Sequence, residues 1–156
     1  MDLNKLTTSD RVVCGSAIAL LIFSFFPWYG LAGGSRNGWD YFLFGVIPVL
    51  LGLVMLAQVA LTRFSPQTKL PTVPMGWGQL HLIIGAVAAV LVLIKLLIGD
   101  SVSVFGLGSV DLDRKFGIFL AFLAGVGLVV GGYLKFQEEK AAGPAPAPGT
   151  TPPTPF

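Results

Sequence analysis

The stretch FGIFLAFLAGVGLVVGGYL, residues Phe116–Leu134, decides the fold class, because it runs for 19 residues without a charged side chain. An α-helix rises about 1.5 Å per residue, so about 20 mainly apolar residues cross the roughly 30 Å hydrocarbon core of a bilayer. The stretch has that length and composition. It therefore predicts a transmembrane helix and an integral membrane protein.

Three further apolar stretches precede it along the chain, at Val12–Tyr29, Tyr41–Leu61 and Trp77–Ile98. Short loops separate the stretches, so neighbouring helices are expected to run antiparallel. We predict an all-α membrane fold with four transmembrane helices arranged as two antiparallel hairpins. The expected spans are residues 12–30, 41–61, 77–98 and 116–134.

The segments outside the spans are short. Residues 1–11 are polar and form the expected N-terminal flank. From residue 135 the chain turns polar and then becomes rich in Pro and Ala. Such a composition cannot bury enough apolar surface to fold. We therefore predict a disordered tail over residues 135–156.

The charge of the chain and its few reactive residues argue against several classes of function. Charged residues make up 12% of the chain, against about 25% in soluble domains. The net charge of +2 comes from scattered basic residues, which argues against nucleic acid as a partner. With one cysteine, Cys14, and one histidine, His81, a disulfide and a multi-ligand metal site are not expected. Since no third residue is placed to orient His81 as a base, we expect no enzyme activity, metal or cofactor.

Small residues recur about four positions apart in the third and fourth predicted helices. Such ridges let another helix backbone approach closely. Packing within the bundle is the favoured interpretation, and a homodimer face is the alternative. Leu128 on the fourth predicted helix is expected to face lipid. The small positions are Gly85, Ala89, Ala121, Gly125, Gly127 and Gly131.

Four polar side chains lie at similar depth near one end of the first three predicted helices: Ser16, Gln58, Gln79 and His81. Amides and imidazoles at equal depth can hydrogen-bond between helices and fix their register. We interpret them as such a layer. A polar site for a lipid headgroup or a small solute is the alternative.

Lys95 is the only charged side chain well inside a predicted span, about one turn before Gly99 and Asp100. A lysine near a helix end can extend its ammonium to the headgroups. We predict an interfacial anchor, with Asp100 as a potential partner. A buried functional lysine is the alternative.

Two further features are a proline within the second predicted helix and an alternating pattern in the third loop. Pro48 lies within the second predicted helix, where it removes a backbone donor and favours a static bend. The loop Ser101–Lys115 partly alternates apolar and polar residues, which indicates a short β-hairpin or an interfacial strand.

The distribution of basic residues predicts the topology, because Lys and Arg favour cytoplasmic flanks. With the N-terminus inside, the cytoplasmic residues are Lys5, Arg11, Arg63, Lys69, Lys135 and Lys140. The opposite side carries Arg36, Lys95, Arg114 and Lys115. The bias of six against four predicts that both termini are cytoplasmic.

Three features of the layout carry a resemblance: the charged start Asp10-Arg11, the aromatic run FFPWYG at residues 25–30, and the tail Ala141–Phe156. Together they resemble the small four-helix membrane proteins of uncharacterised function that are common in actinobacteria. The resemblance covers the layout of the whole chain and assigns no site residue. It implies a multi-pass protein of the bacterial plasma membrane.

We therefore expect a non-enzymatic membrane scaffold, or an accessory subunit of a larger membrane complex. Its expected partners are membrane lipids and either another membrane protein or further copies of itself. A small oligomeric transporter or channel is the alternative, motivated by Pro48, Lys95 and the polar layer.

Overall fold

A computed structural model describes residues 3–143. Four helices run up and down in an antiparallel bundle: α1 Thr8–Ser24, α2 Ile47–Phe64, α3 Trp77–Ile98 and α4 Phe116–Ala142. Both α1 and α3 pack against α2 and α4, so the four helices form a closed ring. The predicted pair of antiparallel hairpins is present. The end that carries residues 3–10 and 64–77 is called the terminal end, and the opposite end is called the sheet end.

Three helical segments in the described part are long and apolar enough to cross a membrane: Phe42–Phe64, Trp77–Ile98 and Phe116–Ala142. Helix α1 has 17 residues and is shorter than these. The structure thus supports a membrane protein with four helices, of which three have the length and composition of a membrane span.

The first helix differs from the prediction of 12–30. It begins at Thr8, whose neighbour Thr7 caps it, and it ends at Ser24. Pro27 then starts a strand, because proline cannot continue a helix without losing a backbone hydrogen bond. Strand β1, Pro27–Leu31, pairs in antiparallel fashion with β2, Gly34–Asn37.

A small sheet completes this end, so the all-α prediction was incomplete. Strand β5, Asp113–Arg114, pairs with the other edge of β1 and gives the order β2-β1-β5. Strands β3, Ser101–Val104, and β4, Gly108–Asp111, form a separate hairpin. Of the two predicted forms of the third loop, the hairpin is the one present. Its turn contains Gly106 at φ +83°, a backbone conformation that favours glycine.

Pro48 lies near the start of α2 and not in the middle of a straight helix. The preceding residues Phe42–Val46 form a π-helical turn in which backbone amides bond five residues back. The amides of Val46 and Ile47 bond to the carbonyls of Tyr41 and Phe42. Pro48 has no backbone N–H and so cannot donate the regular α-helical hydrogen bond. The wider π-helical turn lies directly before it, where such a change of hydrogen-bond pattern is expected.

Helix α4 continues to Ala142, so the predicted boundary at residue 135 was wrong. The polar turns at its end are held by contacts with α1 and α3: Lys135 binds Asp10, Glu138 binds Ser9, and Glu139 binds the amide of Gly78. Tertiary contacts thus extend a helix that the hydropathy pattern ends too early. The rest of the predicted tail, residues 144–156, lies outside the described residues.

Apolar side chains fill the centre of the bundle between its two ends. Fully buried members include Leu20 of α1, Met55 of α2, Val92 of α3 and Leu128 of α4. The prediction that Leu128 faces lipid was therefore wrong. It points inward because Gly52 of α2 leaves room for its side chain.

The predicted small residues lie at contacts between the helices of this chain. A methyl group added at Gly125 would lie 3.1 Å from Cα of Ala89, and one at Gly85 would lie 2.8 Å from the carbonyl oxygen of Leu128. These contacts bring α3 and α4 together. Gly127 faces Ser16 and Gly131 faces Val13, which brings α4 onto α1. Ala121 is fully buried. Packing within the bundle therefore occupies these positions, and they offer no homodimer face.

Candidate functional site

An ion cluster joins three helices at the terminal end. The Asp10 side chain is 0% exposed, and its two oxygens accept hydrogen bonds from Arg63 Nε at 2.6 Å and Lys135 Nζ at 2.7 Å. Asp10 also accepts from the Thr7 amide at 3.2 Å. The terminal cluster, Asp10, Arg63 and Lys135, thus ties α1 to α2 and α4.

The local sequence places Asp10 in the cluster. Thr7 and Asp10 form a capping box, in which each side chain accepts from the other residue's backbone amide. This box fixes the carboxylate on the first turn of α1. Burial by itself raises the pKa of the Asp10 carboxyl, but the Lys135 ammonium and the neighbouring donors outweigh it and hold that pKa below its usual range.

An open cavity of about 280 Å³ lies beside the terminal cluster, between the ends of α2, α3 and α4. Its lining combines an amide, an indole, two cations and two carboxylates: Gln58, Trp77, Arg63, Lys135, Glu138 and Glu139. We call it the terminal cavity. Three hydrogen bonds hold the carboxylates in place: Ser9 Oγ and Thr7 Oγ1 donate to Glu138 at 2.7 and 3.2 Å, and the Gly78 amide donates to Glu139 at 2.8 Å.

The predicted polar layer does not form as a hydrogen-bonded layer. Gln58 Nε2 donates to Thr62 within its own helix, Gln79 is exposed, and Ser16 packs against Gly127. Gln58 is 6% exposed and His81 is 1% exposed. Within residues 3–143, Gln58 Oε1 and both ring nitrogens of His81 have no hydrogen-bond partner. An unpartnered buried polar atom is costly, so Gln58 and His81 require an explanation beyond packing.

A second ion cluster lies at the sheet end and surrounds Lys95. The Lys95 ammonium donates to the Gly99 carbonyl at 2.9 Å and to Asp100 Oδ1 at 3.3 Å. It also lies 4.1 Å from the ring centroid of Tyr41 and 5.2 Å from that of Tyr29. The Lys95 side chain is 9% exposed. Its predicted pairing with Asp100 is present, and its ammonium is enclosed by protein.

Asp100 connects this cluster to the sheet. Its Oδ2 accepts from the Tyr41 hydroxyl at 2.6 Å and from Arg36 at 3.0 Å. Burial raises the pKa of the Asp100 carboxyl, but the Tyr41 hydroxyl and the Lys95 ammonium outweigh it and lower that pKa overall. The sheet-end cluster, Lys95, Asp100, Arg36, Tyr29 and Tyr41, thus joins α3 to β1, β2 and the start of the second span.

Sequence reasoning missed the terminal cluster and the two tyrosines. One signal for Asp10 was present, since a carboxylate at position N3 after Thr7 is the pattern of a capping box. No local pattern pairs it with Lys135, which is 125 residues away. Within residues 3–143, no group of three or more His, Cys, Asp or Glu side chains comes together that could hold a metal ion.

The sheet end also carries exposed apolar surface. Phe105 is fully exposed and Leu107 is 83% exposed at the turn of the β3–β4 hairpin. A groove of about 300 Å³ lies next to this hairpin, and its lining includes Leu31, Val102 and Val104. The hairpin turn and this groove are together called the sheet-end surface.

Comparisons of this chain with protein-family models, with curated proteins and with solved structures find no match.

Proposed function

We propose that the protein is a non-enzymatic integral membrane scaffold, or an accessory subunit of a larger membrane complex. The main observation that supports this proposal is that an ion cluster lies at each end of the bundle, with an apolar core between the two clusters. Each cluster joins at least three elements, and the core side chains between them are buried in one continuous apolar cluster. Such an arrangement favours a fixed frame over one whose helices separate in alternation.

The proposal includes a bacterial plasma membrane location with four spans and both termini in the cytoplasm. Helix α1 packs alongside α2 and α4 and exposes Ile18 and Ile22, and Phe25 directly after the helix is exposed as well. Apolar side chains on the outward face of a bundle are suited to contact with lipid. The excess of basic residues at the terminal end supports a cytoplasmic position for that end.

The sheet-end surface is the proposed contact with a partner. Phe105 and Leu107 project from the hairpin turn and bury little surface in this chain. The adjoining groove is concave and apolar, a shape that suits an anchoring side chain from another protein. We therefore propose that an extracytoplasmic loop of a membrane-protein partner inserts an apolar side chain there.

Co-purification from a mild detergent tests the proposal. The wild-type protein should retain a partner at a fixed ratio, and Phe105→Ser with Leu107→Ser should lose it without a change in melting temperature. Met75→Ser, an exposed apolar residue at the terminal end, is the matched control and should retain the partner. Recovery of a pure homo-oligomer that a solute stabilises would instead support the transporter alternative.

A further inference from the structure

We propose that the terminal cavity binds a phosphoethanolamine group, supplied by the headgroup of an ethanolamine phospholipid. The volume of the terminal cavity, about 280 Å³, is just below the usual range for small-molecule sites, about 300–1,000 Å³. Lipid binding at the terminal end is independent of partner binding at the sheet end, so either proposal can fail alone.

The position of the cavity suits a lipid headgroup. It lies where α2 ends at Phe64 and α3 begins at Trp77, which are the limits of two apolar segments long enough to span a bilayer. The end of a span lies at the depth of the headgroups. Trp77 lines the cavity, and tryptophan favours this interfacial depth. Exposed Leu61 and Ile83, within two turns of the cavity, provide apolar surface for acyl chains.

The charges around the cavity favour a group that carries an ammonium. Three carboxylates lie in or directly behind the lining, those of Asp10, Glu138 and Glu139, against the two cations Arg63 and Lys135. Both cations already bind Asp10. In the part of the chain that the structure describes, the bonds to Glu138 and Glu139 use Oε2 of each, so Oε1 of each remains as an acceptor there. An ammonium placed beside the two glutamates would therefore meet complementary charge, whereas a simple anion there would be repelled.

Gln58 provides an acceptor for such an ammonium. Its side chain lines the cavity and is more than nine-tenths buried. Within residues 3–143, its Oε1 has no donor. A primary ammonium carries three N–H donors. The oxygen is itself enclosed, and Nε2 of the same amide donates to Thr62, so the amide must turn its oxygen toward the cavity before it accepts one of these donors. The other donors can bind the two glutamates.

Arg63 provides the complementary site for the phosphodiester. Its Nε donates to Asp10, and among the described residues its two terminal nitrogens carry no hydrogen bond. Its side chain is 32% exposed, so the guanidinium is accessible from the cavity mouth. A guanidinium can bind two phosphate oxygens at once. One zwitterionic headgroup therefore matches both parts of the site.

The chemistry predicts a clear order of lipids. Phosphatidylethanolamine should bind best. Phosphatidylcholine should bind at least tenfold more weakly, since its quaternary nitrogen has no N–H donor. Phosphatidylglycerol should also bind at least tenfold more weakly, since it has a phosphate but no ammonium. Native mass spectrometry of the delipidated full chain, titrated with each lipid in detergent, measures this order. Equal binding of the three lipids would overturn the proposal.

A parallel titration with soluble glycerophosphoethanolamine distinguishes the sources of the group. Weak binding, or none, supports the lipid, because acyl chains then contribute to the affinity. Binding as tight as that of the phospholipid would overturn the lipid assignment and indicate a soluble ester.

Gln58→Leu separates lipid binding from folding. The substitution removes an unpartnered buried oxygen but also the hydrogen bond from Nε2 to Thr62, so the two effects oppose each other and the melting temperature without lipid should change little. Phosphatidylethanolamine binding should fall about tenfold. Gln79→Leu, an exposed glutamine on α3 outside the cavity lining, is the matched control and should bind as the wild type does. Wild-type binding by Gln58→Leu would overturn the proposal.

Glu138→Gln is a second variant that does not depend on Gln58. It keeps the size of the side chain and removes one negative charge from the cavity. Binding of phosphatidylethanolamine should weaken while the difference between it and phosphatidylglycerol decreases. An unchanged preference for the ethanolamine lipid would contradict the role of the carboxylates.

Discussion

Lys95→Gln should destabilise the protein substantially, because the ammonium is enclosed at the sheet end. The substitution removes a charge-assisted hydrogen bond to Asp100, worth about 1.5–3 kcal/mol. It also removes two cation–π contacts, over Tyr41 and Tyr29, of about 0.5–2 kcal/mol each. Relief of the desolvation of a buried ammonium offsets part of this loss. Asp100 keeps its bonds from Tyr41 and Arg36, so the net loss should be about 2–4 kcal/mol.

For a chain of this length, such a loss lowers the melting temperature by roughly 4–16 °C. Thermal unfolding of the purified protein in detergent, followed by circular dichroism, measures it. Lys69→Gln, at an exposed lysine in the loop between α2 and α3, should change it little. Lys95→Arg should recover part of the loss. If Lys95→Gln and Lys69→Gln unfold at the same temperature, the ammonium is solvated and the enclosed ion pair described above is not formed.

Three further predictions concern the two ion clusters and the contact between α3 and α4. Asp10→Asn leaves two cations without their carboxylate and should cost about 3 kcal/mol in unfolding free energy, whereas the exposed Asp111→Asn should cost little; equal melting temperatures would contradict the terminal cluster. The pKa values of Asp10 and Asp100 are lowered on folding, so their stabilisation is present above the ordinary value of 3.8 and is lost as pH falls through the folded-state pKa. The melting temperature should therefore fall below about pH 4, and less so in Asp10→Asn, as unfolding at a series of pH values will show. Gly125→Leu should force α3 and α4 apart and lower the melting temperature by several degrees, unlike Val130→Leu on the exposed face of α4; equal effects would place Gly125 outside the helix interface.

The sequence alone determined the helical segments and their antiparallel order. Runs of apolar residues about as long as a bilayer is thick are a local property, and hydrophobic burial responds to them directly. Helix α3, Trp77–Ile98, has the bounds of the third predicted apolar stretch, and α4 starts at the predicted Phe116. The pairing of Lys95 with Asp100 was also predictable, since the two residues are five positions apart.

The tertiary structure decided the features that depend on distant partners. Asp10 acquires its ligands from residues 53 and 125 positions away. The bonds of Lys135, Glu138 and Glu139 keep the polar end of α4 helical. Pairing with Gly34–Asn37 and Arg114 turns the aromatic end of the first stretch into strand β1. Hydropathy gives no information on such pairs, because it describes each segment separately. The enclosure of Lys95 and the unpartnered oxygen of Gln58 follow from the same cause, since only the packed bundle fixes which polar atoms meet.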